Sequence, residues 1–193
     1  MGGFRNRFVF PDDVWEEAAR KLNGEFVKGR WLADSEIKLL HRNHPITLQT
    51  ECDVDDNGRK YTRAVPEVAL DRKVGMQILP QAEGLLGSIT RSLAARTGAT
   101  IKVSALGEDY HVFGDDEKLA NAIFGHHDFV SALKGVAQTP SIVVGQSPNH
   151  LLDKDEHFYV SVTGVLKDTH QLIAITEVAK VLLNLLEESN CLG

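Results

Sequence analysis

The apolar positions of this chain change period repeatedly, and each change marks an element. After Pro11, residues Val14, Trp15, Ala18, Ala19 and Leu22 recur at helical spacing. They predict a helix capped by Asp12 or Asp13 and stopped at Asn23-Gly24. Period two follows. Strands are predicted over 25–32 and 36–41, and Ile46, Leu48, Thr50, Cys52 and Val54 then alternate with polar partners as a half-buried strand. Asn57-Gly58 signals a hairpin, because both residues tolerate positive φ. A two-residue loop there sets Val54 opposite Tyr61, Cys52 opposite Arg63 and Thr50 opposite Val65. The return strand runs from Arg59 to Val68, a further strand covers 74–79, and Leu85 to Ala94 fit a helix ending at Gly98.

The second half opens with strands at 100–105 and 109–113. Asp115 or Asp116 caps a helix carrying Leu119, Ala120, Ile123 and Phe124, and Asp128 starts another through Phe129, Val130 and Leu133. Strands are expected at 141–145 and 157–163, then a last helix from a capping box of Asp168 and Gln171 to Glu188. Helices and strands are segregated in blocks with hairpin connections. The expected class is therefore α+β, with a mainly antiparallel sheet and about four helices, not a doubly wound fold. Each half runs helix, strands, helix, which suggests similar lobes at 1–97 and 98–193, or one compact domain built from both.

That last helix is apolar over most of its circumference. Leu172, Ile173, Ile175, Val178, Ala179, Val181, Leu182, Leu183, Leu185 and Leu186 leave a narrow stripe of Glu177, Lys180, Asn184, Glu187 and Glu188. A helix lying on a sheet needs only one apolar stripe. The surplus calls for a second cover, and a homodimer through Leu172–Leu186 is the expected form of it. The competing expectation is a central helix buried within one chain.

Composition narrows the functions. The 193 residues are 42% hydrophobic and 25% charged, with 21 Lys and Arg against 27 Asp and Glu for a net charge of −6. Such a chain builds a core, and it lacks the cationic excess that phosphate backbones reward, so no nucleic acid is expected as partner. Cys52 and Cys191 form no disulfide framework or metal clip. The start of the chain has no signal-peptide pattern, and Lys180 and Asn184 interrupt the longest apolar run. No membrane contact and a cytoplasmic location are expected.

Candidate chemistry is sparse. Asp53–Gly58 spells the opening of a calcium loop, but Ala64 stands where the twelfth-position Glu belongs, so a hairpin is the better reading. His41 and His44 resemble half a metal site; Pro45 keeps His44 out of a helix, and on one strand the rings would face opposite ways. His126-His127-Asp128 sits at a Gly-marked break that exposes imidazoles, although capping explains the acid without any ligand. Gly145-Gln146-Ser147 opens like a nucleophile elbow without its closing glycine, and Cys52 reads as a buried thiol. Arg63 is the most informative charge. The two-residue register turns it onto the apolar face, where it needs a carboxylate, carbonyls or a bound anion; any odd change of register turns it away.

The expected function is therefore binding, as a protein-interaction or adaptor module with no cofactor. The alternatives are a metal-assisted or hydrolase-like enzyme using His126 and His127, and a small-anion sensor around Arg63.

Overall fold

A computed structural model describes residues 11–29, 34–53, 58–70, 74–81, 99–145 and 157–193. Nine strands form one antiparallel sheet: β1 (Glu25–Val27), β2 (Glu36–His41), β3 (His44–Asp53), β4 (Arg59–Pro66), β5 (Gly75–Pro80), β6 (Ala99–Ile101), β7 (Tyr110–Gly114), β8 (Ser141–Gly145) and β9 (His157–Thr163). Their spatial order is β1-β2-β3-β4-β9-β8-β5-β7-β6. Four helices accompany them among the described residues: α1 (Pro11–Lys21), α2 (Glu117–Phe124), α3 (His127–Lys134) and α4 (Thr169–Glu188). The class is α+β, as the segregated pattern predicts.

One apolar row crosses all nine strands. Phe26, Ile37, Leu48, Ala64, Val160, Ile142, Ile78, Val112 and Ile101 are successive cross-strand partners. All but Phe26 are buried, in one core cluster with side chains from every described helix. The row runs through both halves of the chain: β4 pairs with β9, and β5 lies between β8 and β7. Hairpin neighbours account for β1 to β4, β6–β7 and β8–β9. The placements of β5 and β9 are non-local.

α4 lies against β4 and β9 on one side and meets α1, α2 and α3 on others. At 3.6 residues per turn, its buried positions span about 200° of its circumference. Leu172, Ile175, Val178, Ala179, Leu182, Leu183 and Leu186 have no solvent exposure. Most of the apolar surface on which the homodimer expectation rested is thus covered within a single chain, with Ile173 and Val181 half-buried. The helix expected over Leu85–Ala94 lies outside the described residues.

Local chemistry departs from expectation at three helix starts. Pro11 occupies the first helical position of α1, where a missing N–H costs nothing, so Asp12 and Asp13 sit inside the first turn instead of capping it. Asp116 caps α2 as expected, accepting from the Leu119 amide at 2.9 Å, but α3 is capped by His126, not Asp128. Asp168 caps α4 through the His170 amide at 2.7 Å, whereas Gln171 turns away from the capping box and accepts from the Ala137 amide at 2.7 Å. That bond ties the segment after α3 to the first turn of α4.

The β3–β4 hairpin exists, with a different loop. Asp53 pairs with Arg59 and Gln49 with Arg63, so residues 54–58 form a five-residue connection. Gly58 takes φ +72°, the positive value its position signals, and Asn57 lies outside the described residues, as do residues 54–57 of the calcium-like segment. The register is three residues from the two-residue expectation, and an odd shift exchanges the faces. Thr62, Ala64 and Pro66 of β4 are consequently buried on the helix side, and Tyr61, Arg63 and Val65 take the opposite face. Thr62 pays for its burial with two hydrogen bonds, donating to the Gly164 carbonyl at 2.8 Å and accepting from the Leu166 amide at 3.0 Å.

Candidate functional site

The face of the sheet turned away from the four described helices carries a polar cluster on β3, β4 and β9. Strand β4 presents Arg63 there between Gln49 of β3 and Ser161 of β9. Its guanidinium forms an ion pair with Glu51 and stacks on aromatic rings, its central carbon 4.5 Å from the Tyr159 centroid and 5.7 Å from that of Tyr61. Gln49 donates to the other oxygen of Glu51. The Arg63 side chain keeps 20% exposure and Glu51 36%, so the pair sits half-sunk among Tyr61, Tyr159 and Gln49. The carboxylate that an inward Arg63 would have required is present, but on the outward face, as the odd register shift dictates.

Among the described residues, two buried polar side-chain atoms on this face lack partners. Arg63 Nε and Gln77 Oε1 are both buried without a hydrogen bond. Gln77 joins the same face through the cross-strand row Tyr159, Val143, Gln77, Phe113. Further along the sheet, Leu40 projects from β2 on this side with 66% exposure, the one large apolar side chain left exposed among the described residues. Arginine and tyrosine positioned on strands are among the side chains that dominate protein–protein contacts. The charge balance matters too. Glu51 already neutralises Arg63, so a small anion would have to displace a carboxylate to bind.

The histidine candidates are placed differently. His126 caps α3, its Nδ1 accepting from the Asp128 amide at 3.3 Å, and the His127 side chain is 91% exposed with Nδ1 3.3 Å from Asp128 Oδ1. Among the described residues no group of three or more His, Cys, Asp and Glu is placed to hold a metal. His41 and His44 face one another across the tight Arg42-Asn43 turn, both turn residues taking positive φ, so they share a face. The expectation of opposite faces assumed an uninterrupted strand. His41 is engaged structurally, bonding Asn184 of α4 at 2.8 Å, and Arg42 beside it pairs with Glu187 at 3.2 Å.

Cys52 is exposed, not buried; its thiol donates to the Gly58 carbonyl at 3.3 Å inside the hairpin. Gly145 closes β8 with φ +86°, and a Cβ there would fall 1.3 Å from the Val74 carbonyl oxygen. Tight passage of the chain past β5 therefore accounts for this glycine. The rest of the elbow-like segment lies outside the described residues.

Sequence reasoning missed Tyr61, Tyr159 and Glu51 as companions of Arg63. The alternation of β9 carries the signal, since Phe158, Val160 and Val162 are its inward residues and Tyr159 falls between them. Comparison with protein-family models, with curated proteins and with solved structures finds no match to this chain. Among the described residues no helix is long and apolar enough to cross a membrane.

Proposed function

We propose that this protein acts by binding, as a protein-interaction module, and that the partner docks on the sheet face carrying Arg63, Tyr61, Tyr159 and Glu51. The observation that supports this reading is the Arg63 cluster: a neutralised guanidinium stacked on two tyrosines and positioned by strands. Rigid aromatic and arginine anchors lose little side-chain entropy on association, which is why few such residues carry most of an interface's energy.

Leu172, Ile175, Val178, Leu182, Leu183 and Leu186 are occupied inside the chain, so this account places the partner on the sheet and not on α4. The net charge of −6 favours a protein over a phosphate backbone, and the cytoplasm is the proposed setting. The enzyme reading has less support, because His127 stands in solvent and His126 is engaged as a cap.

Affinity purification from the native host, with the parent chain and with Arg63→Ala and Tyr159→Ala as baits, tests the proposal. A protein retained by the parent and lost from both folded variants supports it. The same protein retained by all three baits overturns it.

A further inference from the structure

A cleft of about 220 Å³ opens near the β6 edge of the sheet, between the segment leading into β7 and the C-terminal half of α3. Leu106, Val130 and Leu133 form its apolar floor, and Asp109, Tyr110 and Lys134 bring polar groups to it. Leu106 and Leu133 are buried core residues, so the floor is fixed by packing. Asp109 and Lys134 are exposed, and neither is ion-paired, with the other or with any charge among the described residues. Two opposite charges without ion-pair partners at one cleft are both available to a ligand. The Tyr110 phenol is half-buried, and burial, helped by Asp109, pushes its pKa up to about 12. It therefore stays protonated, a permanent donor at the cleft.

We infer that this cleft binds a small aliphatic α-amino acid. Lys134 receives the carboxylate with Tyr110 donating beside it, Asp109 receives the ammonium, and the side chain lies on Leu106, Val130 and Leu133. Size agrees with chemistry: the volume falls below the roughly 300–1,000 Å³ of drug-sized sites, so the ligand is of amino-acid dimensions. A simple fatty acid would leave Asp109 unused, and an amine would leave Lys134 unused. Nothing in this inference depends on the Arg63 face.

Isothermal titration of the full chain with L-leucine, 4-methylpentanoate and 3-methylbutylamine tests it. Leucine is expected to bind saturably, and loss of either charged group should weaken binding about tenfold or more, the worth of one charge-assisted hydrogen bond. Lys134→Gln should weaken leucine but not the amine, and Asp109→Asn should weaken leucine but not the carboxylate. Both side chains are exposed, so circular dichroism should match the parent. Arg63→Ala should leave leucine binding unchanged. Absence of saturable leucine binding, or 4-methylpentanoate binding as tightly as leucine, overturns the inference, and the ligand series decides this even without the variants.

Discussion

Truncating Leu182 to alanine separates a buried central helix from an interface helix. Leu182 has no solvent exposure, and Leu183 and Leu186 beside it have none either, although neighbouring helical residues point about 100° apart. Cover on both sides from one chain is what α4 receives, with β4 and β9 below and α1, α2 and α3 around it. Little room exists for the site to collapse, so the lost transfer energy is joined by a cavity term, and Leu182→Ala should cost about 3 kcal/mol within the usual range of roughly 2–5. For a chain of this length each kcal/mol lowers the melting temperature by about 2–4 °C, so a fall of roughly 6–12 °C is expected. Urea denaturation and calorimetry at several protein concentrations measure it. The loss should be independent of concentration, and the mass by light scattering should be the same for parent and variant. A melting temperature within about 2 °C of the parent, with a halved mass, would refute the reasoning and return α4 to a subunit interface.

Gly145→Ala should cost more than about 2 kcal/mol, since its Cβ meets the Val74 carbonyl and φ is +86°; Gly58→Val, strained only by its φ of +72°, should cost about 1 kcal/mol. Equal denaturation midpoints for these two variants would contradict that account. Thr62→Val keeps the shape but strands the Leu166 amide and the Gly164 carbonyl, and should lower stability by about 1–3 kcal/mol in urea; an unchanged midpoint would show that water replaces the hydroxyl. The Thr50 hydrogen bond, then Lys60, hold the Asp34 carboxyl below its ordinary 3.8. A depressed pKa gives stability that is present above that value and is lost as pH falls through the lower folded one, so Asp34→Asn should flatten the acid limb of a stability–pH curve, and a curve parallel to the parent's would count against it.

How much was legible depends on whether the decisive contacts are local. α4 announced itself, because its apolar positions and the Asp168 cap lie within one segment. The same pattern could not say what covers the helix, since α1 and the sheet arrive from far along the chain. Strand β4 is the instructive failure. Its inward residues are Thr62, Ala64 and Pro66, while its outward ones include Tyr61 and Val65, so hydrophobicity points to the wrong face. Ala64 is inward on the strand that underlies α4, and Thr62 is inward because its hydroxyl joins two backbone groups near Gly164. Arg63 was singled out correctly for needing a carboxylate, but the loop length that decides its side was not readable from Asn57-Gly58. Asp109 and Lys134 meet at a cleft although 25 positions separate them in sequence. No local pattern encodes that meeting.

The central claim is that the partner sits on the sheet face around Arg63. Hydroxyl-radical footprinting of the chain alone and in the complex purified with it reads the solvent access of individual tyrosines. The account predicts that oxidation of Tyr61 and Tyr159 falls several-fold in the complex while that of Tyr110, at the distant cleft, is unchanged. Unaltered oxidation of Tyr61 and Tyr159, with protection appearing instead at His126 and His127, would contradict it.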